Sequence, residues 1–100
     1  MSAAQVAMYL LEACPSLVDF QPFMFGSSLY GIGYDYDILI VGPAGESLSR
    51  LKLELQAAGA ELPLDILFML PTEASDTNFV NREKCTSFVQ LATGLKSRAG

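Results

Sequence analysis

One hundred residues suit one small domain, spanning 1–100, and leave little room for a second. Apolar residues make up 51% and charged residues 17%, which implies a packed core and excludes a disordered chain. Six basic and eleven acidic residues give a net charge of -5 with no histidine, which excludes zinc fingers and histidine triads and disfavours nucleic acid as a partner.

The apolar runs are too short and too often interrupted to span a membrane, so no membrane partner is expected. The N-terminal stretch lacks the basic region of a secretory signal, and a cytoplasmic location is the expectation. Cys14 and Cys85 stand far apart with no ligand partner nearby, and read as small buried hydrophobes in a reducing compartment.

In chain order, Ser2 to Cys14 reads as a helix with Ser2 as its N-cap and Val6, Leu10 and Ala13 on one stripe. Ala7, Met8, Tyr9 and Leu11 widen its apolar surface, and Pro15 ends it. Gln21 to Phe25 reads as a short strand, followed by a turn at Gly26, Ser27 and Ser28 and a helical turn through Tyr30. Gly31 and Gly33 lead back into a second strand, Tyr34 to Val41, which Gly42-Pro43-Ala44-Gly45 terminates. Leu48, Leu51, Leu55 and Ala58 at helical spacing predict a helix over Glu46 to Ala58, stopped by Gly59. Leu62 to Leu70 is a third strand, and a short helix is expected from Glu73 to Asn78. Phe79 to Cys85 carries no clear pattern; Thr86 to Lys96 is moderately helical through Phe88, Leu91 and Leu95, with frayed residues from Ser97 to Gly100. The alternation gives a small α/β (α+β) domain of three strands or slightly more.

Chemistry concentrates between Phe25 and Val41, FGSSLYGIGYDYDILIV. Alternation along an extended chain puts Asp35 and Asp37 on one face at the start of an aliphatic strand. Such a pair suits a hard divalent cation, which takes oxygen ligands together with substrate phosphates. The small Gly26-Ser27 pair can let backbone amides approach a phosphate. Asp65, inside LPLDILFML, would be costly to bury unpaired. A third strand beside the second would bring Asp65 to the face of Asp35 and Asp37, where a divalent ion would offset their repulsion. Asp65 could instead pair with Arg50, Lys52 or Arg82. Among flanking tyrosines, Tyr36 alternates away from the acids and reads as packing, whereas Tyr30 and Tyr34 can reach a base. Arg82 and Lys84 read as solvated residues within reach of phosphates.

Gly26-Ser27, then Asp35-Tyr36-Asp37 entering a strand, then Asp65 in a later apolar strand resembles the DNA polymerase beta-like nucleotidyltransferase superfamily. More narrowly, it resembles the stand-alone minimal nucleotidyltransferase domains of bacteria and archaea. The likeness covers roughly residues 20–70. It implies a nucleotidyltransferase-like fold, a small mixed sheet flanked by helices. It also implies that Gly26 and Ser27 bind the triphosphate, and that Asp35, Asp37 and Asp65 form a catalytic Mg²⁺ triad. The implied activity moves a nucleoside monophosphate, AMP from ATP, onto an acceptor hydroxyl. The resemblance extends to an antitoxin acting on a helical HEPN-type toxin. Two departures stand out: the loop from Gly26-Ser27 to the acids is short and lacks arginine, and 100 residues are expected to leave no room for the separate domain that holds base and acceptor in larger members. They leave an alternative, a catalytically inactive binding module of the same fold that neutralises a protein partner by contact.

Overall fold

A computed structural model describes residues 1–31 and 35–99, with the side chains of 95–99 outside that description. The domain is a four-stranded mixed sheet flanked by helices, in the strand order β3-β2-β1-β4. Its elements are α1 (Ala3–Ala13), β1 (Gln21–Phe25), β2 (Tyr36–Val41), α2 (Glu46–Ala58), β3 (Leu64–Met69), α3 (Pro71–Thr77), α4 (Phe79–Arg82), β4 (Thr86–Ser87) and α5 (Phe88–Ala99). Short 3-10 turns occupy Pro15–Asp19 and Ser27–Tyr30.

Local chemistry accounts for most boundaries. Ser2 Oγ accepts from the Gln5 amide at 3.2 Å while Gln5 Oε1 accepts from the Ser2 amide at 2.8 Å, a reciprocal cap on α1. Pro15 then redirects the chain into its 3-10 turn. Glu54 of α2 holds that turn, accepting from the Ser16 amide at 2.9 Å and from Ser16 Oγ at 2.8 Å. β1 and α2 span the residues expected of them. Pro71 opens α3, and Glu73 Oε1 accepts from the Leu70 amide at 2.9 Å.

The strand pairing divides the molecule into two faces. β1 runs antiparallel to β2 and to β4, whereas β2 and β3 run parallel with Tyr36 opposite Leu64 and Val41 opposite Met69. Met24, Ile38 and Ile40 point to one face, where α1, α2 and α5 cover them with Val6, Leu10, Leu51, Leu55 and Phe88. Leu39 and Val41 point to the other, joined by Phe23, Phe25 and Met69 and by Phe79 and Val80 of α4. Cys14 is fully buried, and burial and then Glu54 raise its thiol to about 11. Burial and then Glu83 also raise Cys85, so both thiols stay protonated near neutral pH. Among the described residues no helix is long and apolar enough to cross a membrane.

Several expectations need correction. Ala13 is exposed, because the buried stripe of α1 runs through Ala3, Val6, Ala7 and Leu10. β2 begins at Tyr36, and the expected start at Tyr34 lies outside the described residues. β3 is shorter than Leu62 to Leu70, with Pro63 and Leu70 flanking it. Thr86 and Ser87 pair with β1 as a strand before α5 starts, a long-range contact that overrides local preference. α5 continues to Ala99, past the expected fraying point.

Candidate functional site

Asp37 and Asp65 are each the second residue of their strands, and the parallel register places them directly opposite one another. Paired residues on neighbouring strands share a face, here the face of Leu39, Val41 and Phe79. On the other side of Asp37 in the same row stands Phe25 of β1. Three sequence-distant residues thus form one row, Asp65–Asp37–Phe25, whose neighbours Leu67, Leu39 and Phe23 form an apolar row behind it.

Asp65 is exposed, which overturns the argument that its position makes burial expensive. β3 is an edge strand, and its side chains alternate between the packed Leu64, Ile66 and Phe68 and the open Asp65 and Leu67. None of Arg50, Lys52 or Arg82 pairs with Asp65; the ion pair found among the described residues joins Arg82 to Glu83. Asp35 is exposed in a bend ahead of β2, so the strand alternation expected to align it with Asp37 does not extend to it. Tyr36 points to the opposite face, where its hydroxyl donates to the Met1 carbonyl, in keeping with a packing role. Tyr30 is exposed, and Tyr34 lies outside the described residues.

Asp37 is tied to the preceding turn through its backbone. Its amide donates to Ser28 Oγ at 3.3 Å, and Ser28 Oγ donates to the Phe25 carbonyl at 3.1 Å. Ser28 is buried, so this hydroxyl ties the Gly26-Ser27 turn to the first residues of β2. Ser27, expected at the triphosphate, is exposed, and the structural bond is made instead by Ser28, whose three-residue offset from Phe25 is the signal for it in the sequence. Replacing Ser28 by Ala should cost about 1 kcal/mol, the net worth of a hydrogen bond within a fold. Urea denaturation should show a lower midpoint with an unchanged slope.

Burial first, then the charges of Asp65 and Asp35, push the Asp37 carboxyl above its ordinary range. Gly26 makes the close approach possible: a Cβ there would stand 2.5 Å from Asp37 Oδ2. Its φ of 75° and ψ of -166° lie in a region essentially reserved for glycine. The carboxylates supply the hard oxygen donors that Mg²⁺ prefers, and Gly26 leaves open the space at Asp37 Oδ2, so the residues fit the ion in kind. Among the described residues no three carboxylate, thiol or imidazole side chains are gathered tightly enough to hold a metal ion as they stand. Comparison with protein-family models, curated proteins and solved structures finds no match for the chain.

Proposed function

We propose that the chain is a Mg²⁺-dependent nucleotidyltransferase that moves AMP from ATP onto an acceptor hydroxyl, the oxygen bonding to the α-phosphorus as the α–β anhydride bond breaks and pyrophosphate leaves. The observation that carries this reading is the row formed by Asp37 and Asp65 on adjacent parallel strands, with Gly26 against Asp37 Oδ2. Like charges opposite one another, with no basic partner among the described residues, favour a bound cation. Asp35, Asp37 and Asp65 would hold Mg²⁺, which when bound would neutralise charge on the phosphates and orient them. Gly26 and Ser27, exposed at the end of β1, would receive the triphosphate. Ser28 fixes the backbone of Asp37 against that turn, so the acid and the phosphate seat stay in register. Asp65, open to solvent at the sheet edge, can reach an incoming acceptor, and its carboxylate would take the hydroxyl proton. The resemblance extends the proposal to the acceptor: a hydroxyl on a HEPN-type toxin, with this chain as antitoxin.

A second reading, an inactive module that neutralises a partner by contact, draws on a different place. An apolar groove of about 480 Å³, lined by Leu55, Leu62, Leu64, Ile66 and Phe68, runs beside the open edge of β3. Edge strands and apolar grooves are the common seats of bound protein segments.

Isothermal titration separates the two. MgATP should bind the wild-type chain and require the metal, and the Asp35→Asn/Asp37→Asn variant should fold but lose that binding. A folded wild-type chain that ignores MgATP yet binds a toxin partner would transfer support to the contact-only module.

A further inference from the structure

A triphosphate needs cationic donors, yet the segment from Gly26 to Asp37 contains no basic residue. Among the basic residues whose side chains are described, the two faces of the sheet separate those that can serve from those that cannot. Arg50 and Lys52 belong to α2, whose Leu51 and Leu55 pack against the face away from Asp37. Lys52 Nζ lies 5.1 Å from the ring centroid of Phe68, which joins that same core. Arg82 is placed differently. It ends α4, and its guanidinium carbon lies 5.4 Å from the ring centroid of Phe79. Phe79 meets Phe25 edge to face, with centroids 5.2 Å apart and ring planes at 88°. Phe25 is the ladder partner of Asp37 and immediately precedes Gly26. One run of contacts therefore connects Asp37, Phe25, Phe79 and Arg82 along the acidic face.

We propose that Arg82, held by the Phe79 ring, is the cation that receives the polyphosphate of the bound nucleoside triphosphate; this rests on the nucleotidyltransferase reading. An aromatic face restrains a guanidinium while leaving the donors at its edge available to an oxyanion. Its Nε donates to Glu83 Oε2 at 3.3 Å, which occupies one of its five donors. The side chain is 57% exposed, so a phosphate can reach it without displacing the fold. The residue supplies from α4 the positive charge that the Gly26-Ser27 turn lacks. Lys84, two residues further, carries a point charge without the planar fork that pairs with two phosphate oxygens.

The test compares MgATP and AMP binding by titration for wild type, Arg82→Gln, Arg82→Lys and Lys84→Gln, with melting temperature as the fold control. Arg82→Gln should weaken MgATP at least about tenfold and AMP less than about twofold, because the lost bonds are to the outer phosphates. Arg82→Lys should recover part of the loss. Lys84→Gln makes the same change in net charge and should stay close to wild type. Equal losses for Arg82→Gln and Lys84→Gln, or for MgATP and AMP, would overturn the proposal in favour of a general charge effect. Wild-type MgATP binding by Arg82→Gln, with binding lost in Asp35→Asn/Asp37→Asn, would remove Arg82 and leave the nucleotidyltransferase reading in place. A wild-type chain that binds no MgATP would sink both.

Discussion

Replacing Asp37 by Asn should make the metal-free domain slightly more stable at neutral pH while removing its response to Mg²⁺ and MgATP. Burial, Asp65 and Asp35 keep the Asp37 carboxyl protonated to a higher pH in the fold than in the unfolded chain. Between the unfolded and the folded pKa the native state therefore binds more protons. Stability contributed by this group is present at low pH and is lost as pH rises through the folded pKa. Above that interval the ionised carboxylate is a net cost to the fold, and Asn carries no such cost. The gain is small, since Asp37 is only partly buried and water screens it. It should shrink as the pH is lowered towards the ordinary carboxylate range. Added Mg²⁺ should reverse the order, because a ligand bound only by the native state stabilises it by mass action. Loss of a bond to a charged group costs about 1.5–3 kcal/mol, so MgATP affinity should fall at least about tenfold. Thermal melts across pH, with and without Mg²⁺, check both halves. An Asn variant that still melts higher with Mg²⁺, to the same extent as wild type, would remove Asp37 from the metal site.

The contrast between Asp37 and Asp65 shows what the sequence could and could not reveal. Gln21–Phe25 and Glu46–Ala58 were legible because their signals are local: a short apolar run closed by Gly26, and a helical repeat closed by Gly59. The Asp37–Asp65 row is not local. It depends on β2 and β3 pairing in parallel with one register, which no spacing in the chain encodes. The apolar run around Asp65 implies that its carboxylate would be costly to bury, but β3 lies at the edge and leaves Asp65 open. What sets Asp65 apart is its placement opposite Asp37 and not the cost of burial. Phe79 to Cys85 carried no periodic signal because α4 is a single turn, held by the contact of Phe79 with Phe25. Thr86 and Ser87 resemble the start of a helix until β1 claims them.

Gly26→Ala should damage both the fold and the site, through two separable causes. The backbone at Gly26 combines φ 75° with ψ -166°, and a Cβ in that region costs about 1–3 kcal/mol whatever surrounds it. The second cause is the contact of 2.5 Å that the Cβ would make with Asp37 Oδ2. A short carboxylate side chain can turn away from that contact, so the clash should appear less as lost stability than as a displaced Asp37. Denaturant midpoints should accordingly fall by an amount set mainly by the backbone, while MgATP affinity falls towards that of the Asp37→Asn variant. A double-mutant cycle with Asp37→Ala isolates the two effects. With no carboxylate to displace, Gly26→Ala should retain its stability penalty and lose only the smaller share of nucleotide binding that the Gly26-Ser27 turn itself supplies to the triphosphate. If Gly26→Ala lowers MgATP affinity equally in both backgrounds, the glycine acts on the phosphate directly, through the backbone of its own turn. If it leaves affinity unchanged in the wild-type background, then neither the position of Asp37 nor the shape of the Gly26-Ser27 turn governs the site.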